Sequence, residues 1–172
     1  MYGLEHGFIK QLDYQNFNHN SVLILGAGGV TPSVIYALSA KGIKNIFISN
    51  RTLKKAEYIK KMFPLIKIVK WEDLEAIIER MDIIINATSL GLKGGENFKQ
   101  EFKHIKPTLV YYDVIYNPEE TLMIKKLKKR GIKTHNGLKM FIYQGQKSFS
   151  LWHKVNPELD LDLEKIIISK LK

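Results

Sequence analysis

The chain is 172 residues long, a size for one compact domain with room for a helical appendage. It contains no cysteine, which excludes a disulfide framework and thiolate metal ligation and is compatible with a reducing, intracellular setting. The formal charge is +10, from 27 basic and 17 acidic residues. Only Arg51, Arg80 and Arg130 are arginine, however, and the lysines recur in helical surface patterns such as Lys54, Lys55, Lys60 and Lys61. No basic groove interleaved with aromatics accompanies them, so solvated helix faces account for the charge and no nucleic-acid partner is expected. The opening MYGLEHGF has no apolar leader, and no run of about 18 uncharged apolar residues follows. A soluble, cytoplasmic protein without a membrane partner is expected.

Short apolar runs alternate with helical patterns along the chain. Ser21 to Leu25 reads as a buried strand, followed by glycines and a helix from about Pro32 to Lys41, ended by Gly42. Asn45 to Ser49 is the second strand. Thr52 is placed to cap the next helix, whose apolar Ala56, Ile59 and Phe63 fall at helical spacing before Pro64 stops it. Lys67 to Val69 is a short strand, Glu72 to Arg80 a helix, and Ile83 to Ile85 a strand. Leu109 to Val114, a helix from Glu120 to Arg130 closed by Gly131, and a last strand from Lys133 to His135 continue the rhythm. Two helical patterns, Leu138 to about Trp152 and Leu161 to Leu171, finish the chain around an Asn156-Pro157 break. Strands apolar on both faces and separated by helices imply an α/β, doubly wound, mostly parallel sheet of about six strands, Rossmann-like, with C-terminal helices.

The first strand runs straight into Gly26-Ala27-Gly28-Gly29-Val30-Thr31 and a helix. Such a turn is a phosphate site. Gly26 permits the tight turn, Gly28 admits a pyrophosphate close to the backbone, and the helix N-terminus offers unpaired amides and a positive dipole end. Thr31 stands where a third glycine or alanine is usual, which sets helix and strand slightly further apart. The end of the second strand then selects the dinucleotide. A carboxylate there would hold a ribose 2′-OH, but this chain has Asn50-Arg51-Thr52, with Lys54 and Lys55 behind. A guanidinium binds a 2′-phosphate bidentately and Thr52 adds a hydroxyl, so NADP is favoured over NAD.

With GAGG and NRT in place, Asn86-Ala87-Thr88-Ser89-Leu90-Gly91, Asp113-Val114-Ile115-Tyr116-Asn117-Pro118, Asn136-Gly137-Leu138-Lys139-Met140 and Gln144-Gly145-Gln146-Lys147-Ser148-Phe149-Ser150-Leu151-Trp152 follow in order. In order and spacing this series resembles the shikimate dehydrogenase family over effectively the whole chain. The resemblance implies that Gly26, Ala27, Gly28, Gly29 and Val30 hold the pyrophosphate, and that Asn50, Arg51, Thr52 and Lys55 hold the 2′-phosphate. It places Asn86, Thr88, Ser89, Val114, Gly137 and Met140 around the nicotinamide. It sends Tyr116 and Gln144 toward the substrate, shikimate or 3-dehydroshikimate, in reversible hydride transfer with NADPH.

The same resemblance implies a catalytic lysine and aspartate on an N-terminal substrate domain, for which no lysine of this chain sits in a matching context; Glu5 to Lys10 resembles the hinge helix that follows it. The division expected is a hinge and linker at 1–19, the NADP-binding domain at 20–137 and C-terminal helices at 138–172. Leu4, Phe8, Phe149 and Trp152 are expected to present apolar surface, so a homo-oligomer is open. The scattered His6, His19, His104, His135 and His153 lack ligand spacing, and no metal is expected. A stand-alone NADP-binding sensor, a quinate/shikimate dehydrogenase, and a folate or glutamyl-tRNA reductase relative are the alternatives.

Overall fold

The structure is a computed structural model that describes residues 3–12 and 20–170. Residues 1, 2 and 13–19 of the expected hinge and linker, and Leu171 of the expected last helix, lie outside the described residues. The first helix is a π-type stretch over Leu4–Ile9 that continues as α1 (Lys10–Leu12). Then follow β1 (Ser21–Leu25), α2 (Thr31–Ala40), β2 (Asn45–Ser49), α3 (Leu53–Met62), β3 (Lys67–Val69) and α4 (Leu74–Ile77). The remainder is β4 (Ile83–Asn86), β5 (Val110–Asp113), α5 (Leu122–Lys129), β6 (Lys133–His135), α6 (Leu138–His153) and α7 (Leu161–Lys170). Among the described residues no helix is long and apolar enough to cross a membrane.

The six strands form one sheet in the order β3-β2-β1-β4-β5-β6, and every neighbouring pair is parallel. Both faces are covered, which is what continuous Ile, Leu and Val runs require. Val22, Ile24, Ile46, Ile48, Ile83 and Ile85 point into one core, beneath the first helix, α2 and α3. The alternate residues Leu23, Leu25 and Ile84 point into the other, with Leu74, Ile78, Met123, Ile124 and Leu127. Chain order reverses between β1 and β4, the switch point where open α/β sheets bind ligands.

Most elements fall where the pattern puts them, and the exceptions have physical causes. The helix expected over Glu72 to Arg80 is broken: 3₁₀ turns at Trp71–Asp73 and Ile78–Arg80 flank the single α turn of α4. Tertiary contacts override helix periodicity here. Trp71 stacks on Phe98, and Glu75 turns out to clasp the amides of Glu101, Phe102 and Lys103 at 2.9, 2.9 and 3.1 Å. α5 starts two residues later than Glu120 because Thr121 is its cap, accepting from the Ile124 amide at 3.3 Å. Thr52 sits at the N-cap of α3 but its side chain makes no capping bond.

The expected apolar surface is also half corrected. Leu4 and Phe8 are buried, at 2% and 0% exposure, because the first helix lies against α6. Glycines allow that crossing: a Cβ on Gly7 would stand 2.5 Å from the Met140 Cα and one on Gly3 would stand 2.6 Å from the Met140 carbonyl oxygen. Phe149 and Trp152, at the far end of α6, are exposed as expected.

Candidate functional site

Parallel register aligns the strand ends that carry the site. Leu25 pairs with Ser49 on one side and Asn86 on the other, and Asn86 pairs with Asp113. Each loop is pinned where it leaves the sheet: Gly26 N donates to Ser49 O at 2.7 Å, Ala87 N to Leu25 O at 2.8 Å, and Val114 N to Asn86 O at 3.0 Å. Gly26 has φ +108°, and a Cβ there would stand 2.7 Å from the Ala87 carbonyl oxygen, so conformation and space both demand glycine. Thr31 donates its hydroxyl to Gly26 O at 3.0 Å, which ties the turn to the first residue of α2. The residue that departs from the usual glycine therefore braces the loop.

A cleft of about 260 Å³ opens over this turn, lined by Gly26, Ala27, Gly28, Asn50, Arg51, Thr52, Lys55, Trp71, Ala87, Thr88, Ser89 and Leu90. Asn50 joins the two motifs: it accepts from Ala27 N at 3.1 Å and donates to Thr52 O at 2.9 Å. Arg51 reaches across the mouth to Glu96, Nη1 to Oε2 at 2.8 Å. Gly28 and Gly29 are exposed, and a Cβ on Gly29 would meet nothing within 4 Å. Open glycines, the positive dipole end of the adjacent helix, and cationic side chains together fit a phosphorylated dinucleotide. The structure thus gathers most of the expected phosphate-binding residues in one cleft; Gly29 and Val30 lie beside it rather than on its wall. Trp71 was not singled out from the sequence. Trp71 follows β3 and offers an aromatic face, and a strand-end aromatic is the one signal that was there to be used.

The β4–β5 side is built differently. Asn86, expected at the cofactor, is fully buried and does not line the cleft. Its Nδ2 donates to Leu90 O and Asp113 Oδ1, both at 3.0 Å, while its Oδ1 accepts from the Thr88 amide at 3.0 Å and hydroxyl at 2.6 Å. Asn86 shapes the loop beneath the cleft wall. Asp113, also fully buried, accepts from Ile115 N at 3.1 Å and the Thr121 hydroxyl at 2.9 Å, with the Tyr111 hydroxyl at 3.4 Å. Burial pushes its carboxyl up to about 6, against the lowering by these hydrogen bonds. The Tyr111 hydroxyl is raised too, by burial first and by the Asp113 charge next.

The remaining expected residues do not all meet. Met140 is buried, its backbone close against Gly7, and it lines neither the cleft nor the Tyr116 cavity. Gly137 follows β6, its amide donating to Ile115 O at 3.0 Å, and a Cβ there would stand 2.0 Å from Val114 O. Tyr116 lines a second cavity of about 350 Å³ with Lys93, Asn117, Pro118, Glu119, Leu138 and Ile168, and stacks on Phe141 with ring centroids 4.3 Å apart. Gln144 lines neither cavity; it sits on α6 against Gly3. The expected cofactor and substrate residues therefore do not share one cavity.

The profile of the family described as Shikimate / quinate 5-dehydrogenase matches residues 9–115. The chain belongs to this family. A shikimate dehydrogenase (NADP(+)) of Pelagibacter ubique is 49% identical over 147 residues, 85% of this chain and 54% of that protein. One from Aquifex aeolicus is 38% identical over 149 residues, 86% of the chain and 53% of that protein. Among solved structures, an Aquifex aeolicus shikimate dehydrogenase superposes with TM-score 0.77 at 36% identity, covering 88% of this chain and 56% of that one. The Thermus thermophilus shikimate 5-dehydrogenase, determined with NADP(H) and shikimate, gives TM-score 0.77 at 26% identity over 96% of this chain and 61% of that one. The chain spans about half the length of the curated shikimate dehydrogenases it matches.

Proposed function

We propose that this chain is the NADP-binding portion of a shikimate dehydrogenase, acting in the reversible reduction of 3-dehydroshikimate by NADPH. The observation that carries the reading is the single cleft in which the Gly26–Gly28 turn meets Asn50, Arg51, Thr52 and Lys55. The turn and the α2 N-terminus would take the pyrophosphate, and Arg51, Thr52 and Lys55 the 2′-phosphate. Thr88, Ser89, Val114 and Gly137 border the strand ends where the nicotinamide would lie. When bound, the dihydronicotinamide supplies a hydride. The chain's own part is to orient that ring and exclude water, with Tyr116 forming a wall toward the substrate. Residues 20–137 form the nucleotide unit in this reading, with 138–172 as helices packed on it.

Titration of the purified chain with NADP+ and NAD+, followed by calorimetry, tests the proposal. NADP+ should bind more tightly; equal affinities, or no binding of either, would count against it. Because the lysine and aspartate implied by the resemblance are not among these 172 residues, NADPH oxidation with 3-dehydroshikimate by this chain alone should be negligible. Positioned general acid catalysis alone is worth about 10²–10⁴-fold.

A further inference from the structure

We infer that Glu96 is a specificity-determining residue of the cofactor cleft: its carboxylate occupies the Arg51 guanidinium in the place of a 2′-phosphate, and NADP must displace it where NAD need not. This rests on the NADP reading above. Arg51 Nη1 and Glu96 Oε2 are 2.8 Å apart although the residues are 45 positions apart in sequence. The approach is set by the backbone of the loop. Gly91 N donates to Glu96 O at 2.8 Å, Leu92 N to Ser89 O at 3.2 Å and Gly95 N to Leu92 O at 2.9 Å, folding residues 89–96 into a closed turn. One end of that turn, Ser89 and Leu90, lines the cleft; the other delivers Glu96 to its mouth.

The chemistry follows from geometry and charge. A guanidinium presents a planar fork that a carboxylate and a phosphate oxygen pair compete for. A 2′-phosphate seated on Arg51 either replaces Glu96 or lies beside a like charge, and both weaken its binding. NAD carries a hydroxyl at that position and leaves the pair intact. The two side chains are 63% and 73% exposed, so the pair is a weak one and its displacement is a matter of a few-fold, not of orders of magnitude. Glu96 therefore tempers the NADP preference that Arg51 creates.

The experiment is a set of calorimetric titrations of wild type, Glu96→Gln, Arg51→Ala and the double variant with NADP+, NAD+ and 2′,5′-ADP. Glu96→Gln should tighten NADP+ and 2′,5′-ADP by about twofold to fivefold, the size of an exposed ion pair, and leave NAD+ unchanged. With Arg51 already removed, the gain from Glu96→Gln should largely vanish. Unchanged or weakened NADP+ binding in Glu96→Gln would overturn the inference and make the pair a strut that positions Arg51. A gain shared equally by NAD+, or persisting at full size without Arg51, would overturn it as well. Failure of the wild-type chain to bind NADP+ and 2′,5′-ADP would overturn the cofactor reading and the inference with it. Wild-type binding with an unaltered NADP+ to NAD+ ratio would overturn the inference alone.

Discussion

Two halves of one sheet edge treat polar groups in opposite ways. Beside β1 and β2, Gly28 and Gly29 are exposed, Thr52 leaves its capping position unbonded, and Arg51 stays 63% exposed in its pair with Glu96. Beside β4 and β5, Asn86, Asp113 and Thr121 are buried and bonded to one another and to the loops they support. The first half keeps its hydrogen-bonding capacity for something from outside. The second has turned inward, where a buried polar group must be partnered or become a liability of about 1–3 kcal/mol. Changes in the first half should alter affinity and spare stability, and changes in the second should do the reverse.

The largest effect is expected from Asp113→Ala. It removes one of the two partners of Asn86 Nδ2 and strands the Ile115 amide and the Thr121 hydroxyl hydrogen in the interior. A loss of about 3–4 kcal/mol in urea unfolding at neutral pH is expected, and a loss under about 1 kcal/mol would erase the contrast between the halves.

The pH dependence of Asp113 sharpens the same point. The carboxyl is raised from 3.8 in an ordinary setting to about 6 in the fold, so the folded state favours its protonated form. Its contribution is fully present below about 4 and is lost as pH rises through about 6, by an amount up to about 3 kcal/mol. Unfolding curves at pH 4 to 7 should show wild type losing ground to Asp113→Asn across that window. A constant difference between the two would mean that the carboxyl titrates normally.

In the outward half, Arg51→Ala should cost about 1.5–3 kcal/mol of NADP+ affinity, roughly tenfold to a hundredfold, and almost none for NAD+. Its melting temperature should stay near wild type, since an exposed ion pair is worth about 0–1 kcal/mol. Equal weakening of both cofactors would make Arg51 structural. Smallest is Glu75→Gln, away from the site, which weakens a clasp on three backbone amides by replacing charge with an amide. A loss of about 1 kcal/mol is expected, with no effect on either cofactor.

The outward half was the legible one because its parts are short and contiguous. Gly26 to Thr31 lies on consecutive residues, and Asn50 to Thr52 follows a strand whose apolar run is unmistakable. The parallel sheet of about six strands followed from the alternation of strands and helices, while the strand order did not. The inward half depends on contacts between distant residues, such as Asn86 with Asp113 across 27 positions, and no local pattern says whether an asparagine faces a ligand or a carboxylate. The same reason hid Glu96 opposite Arg51 and the burial of Met140, Leu4 and Phe8. The broken helix at 71–80 was missed because Trp71 and Glu75 answer to partners beyond residue 97 rather than to helical period.

Asp113 also joins the walls of the two cavities. One carboxylate holds Asn86, whose amide grips Leu90 in the cofactor cleft, and also holds the Ile115 amide next to Tyr116 in the second cavity. Were a ligand that orders one loop to shift the other through these hydrogen bonds, the two sites would be coupled. Thermodynamic reciprocity then requires the effect to be equal in both directions: whatever factor the nucleotide adds to affinity at the Tyr116 wall, an occupant of that wall returns to the nucleotide.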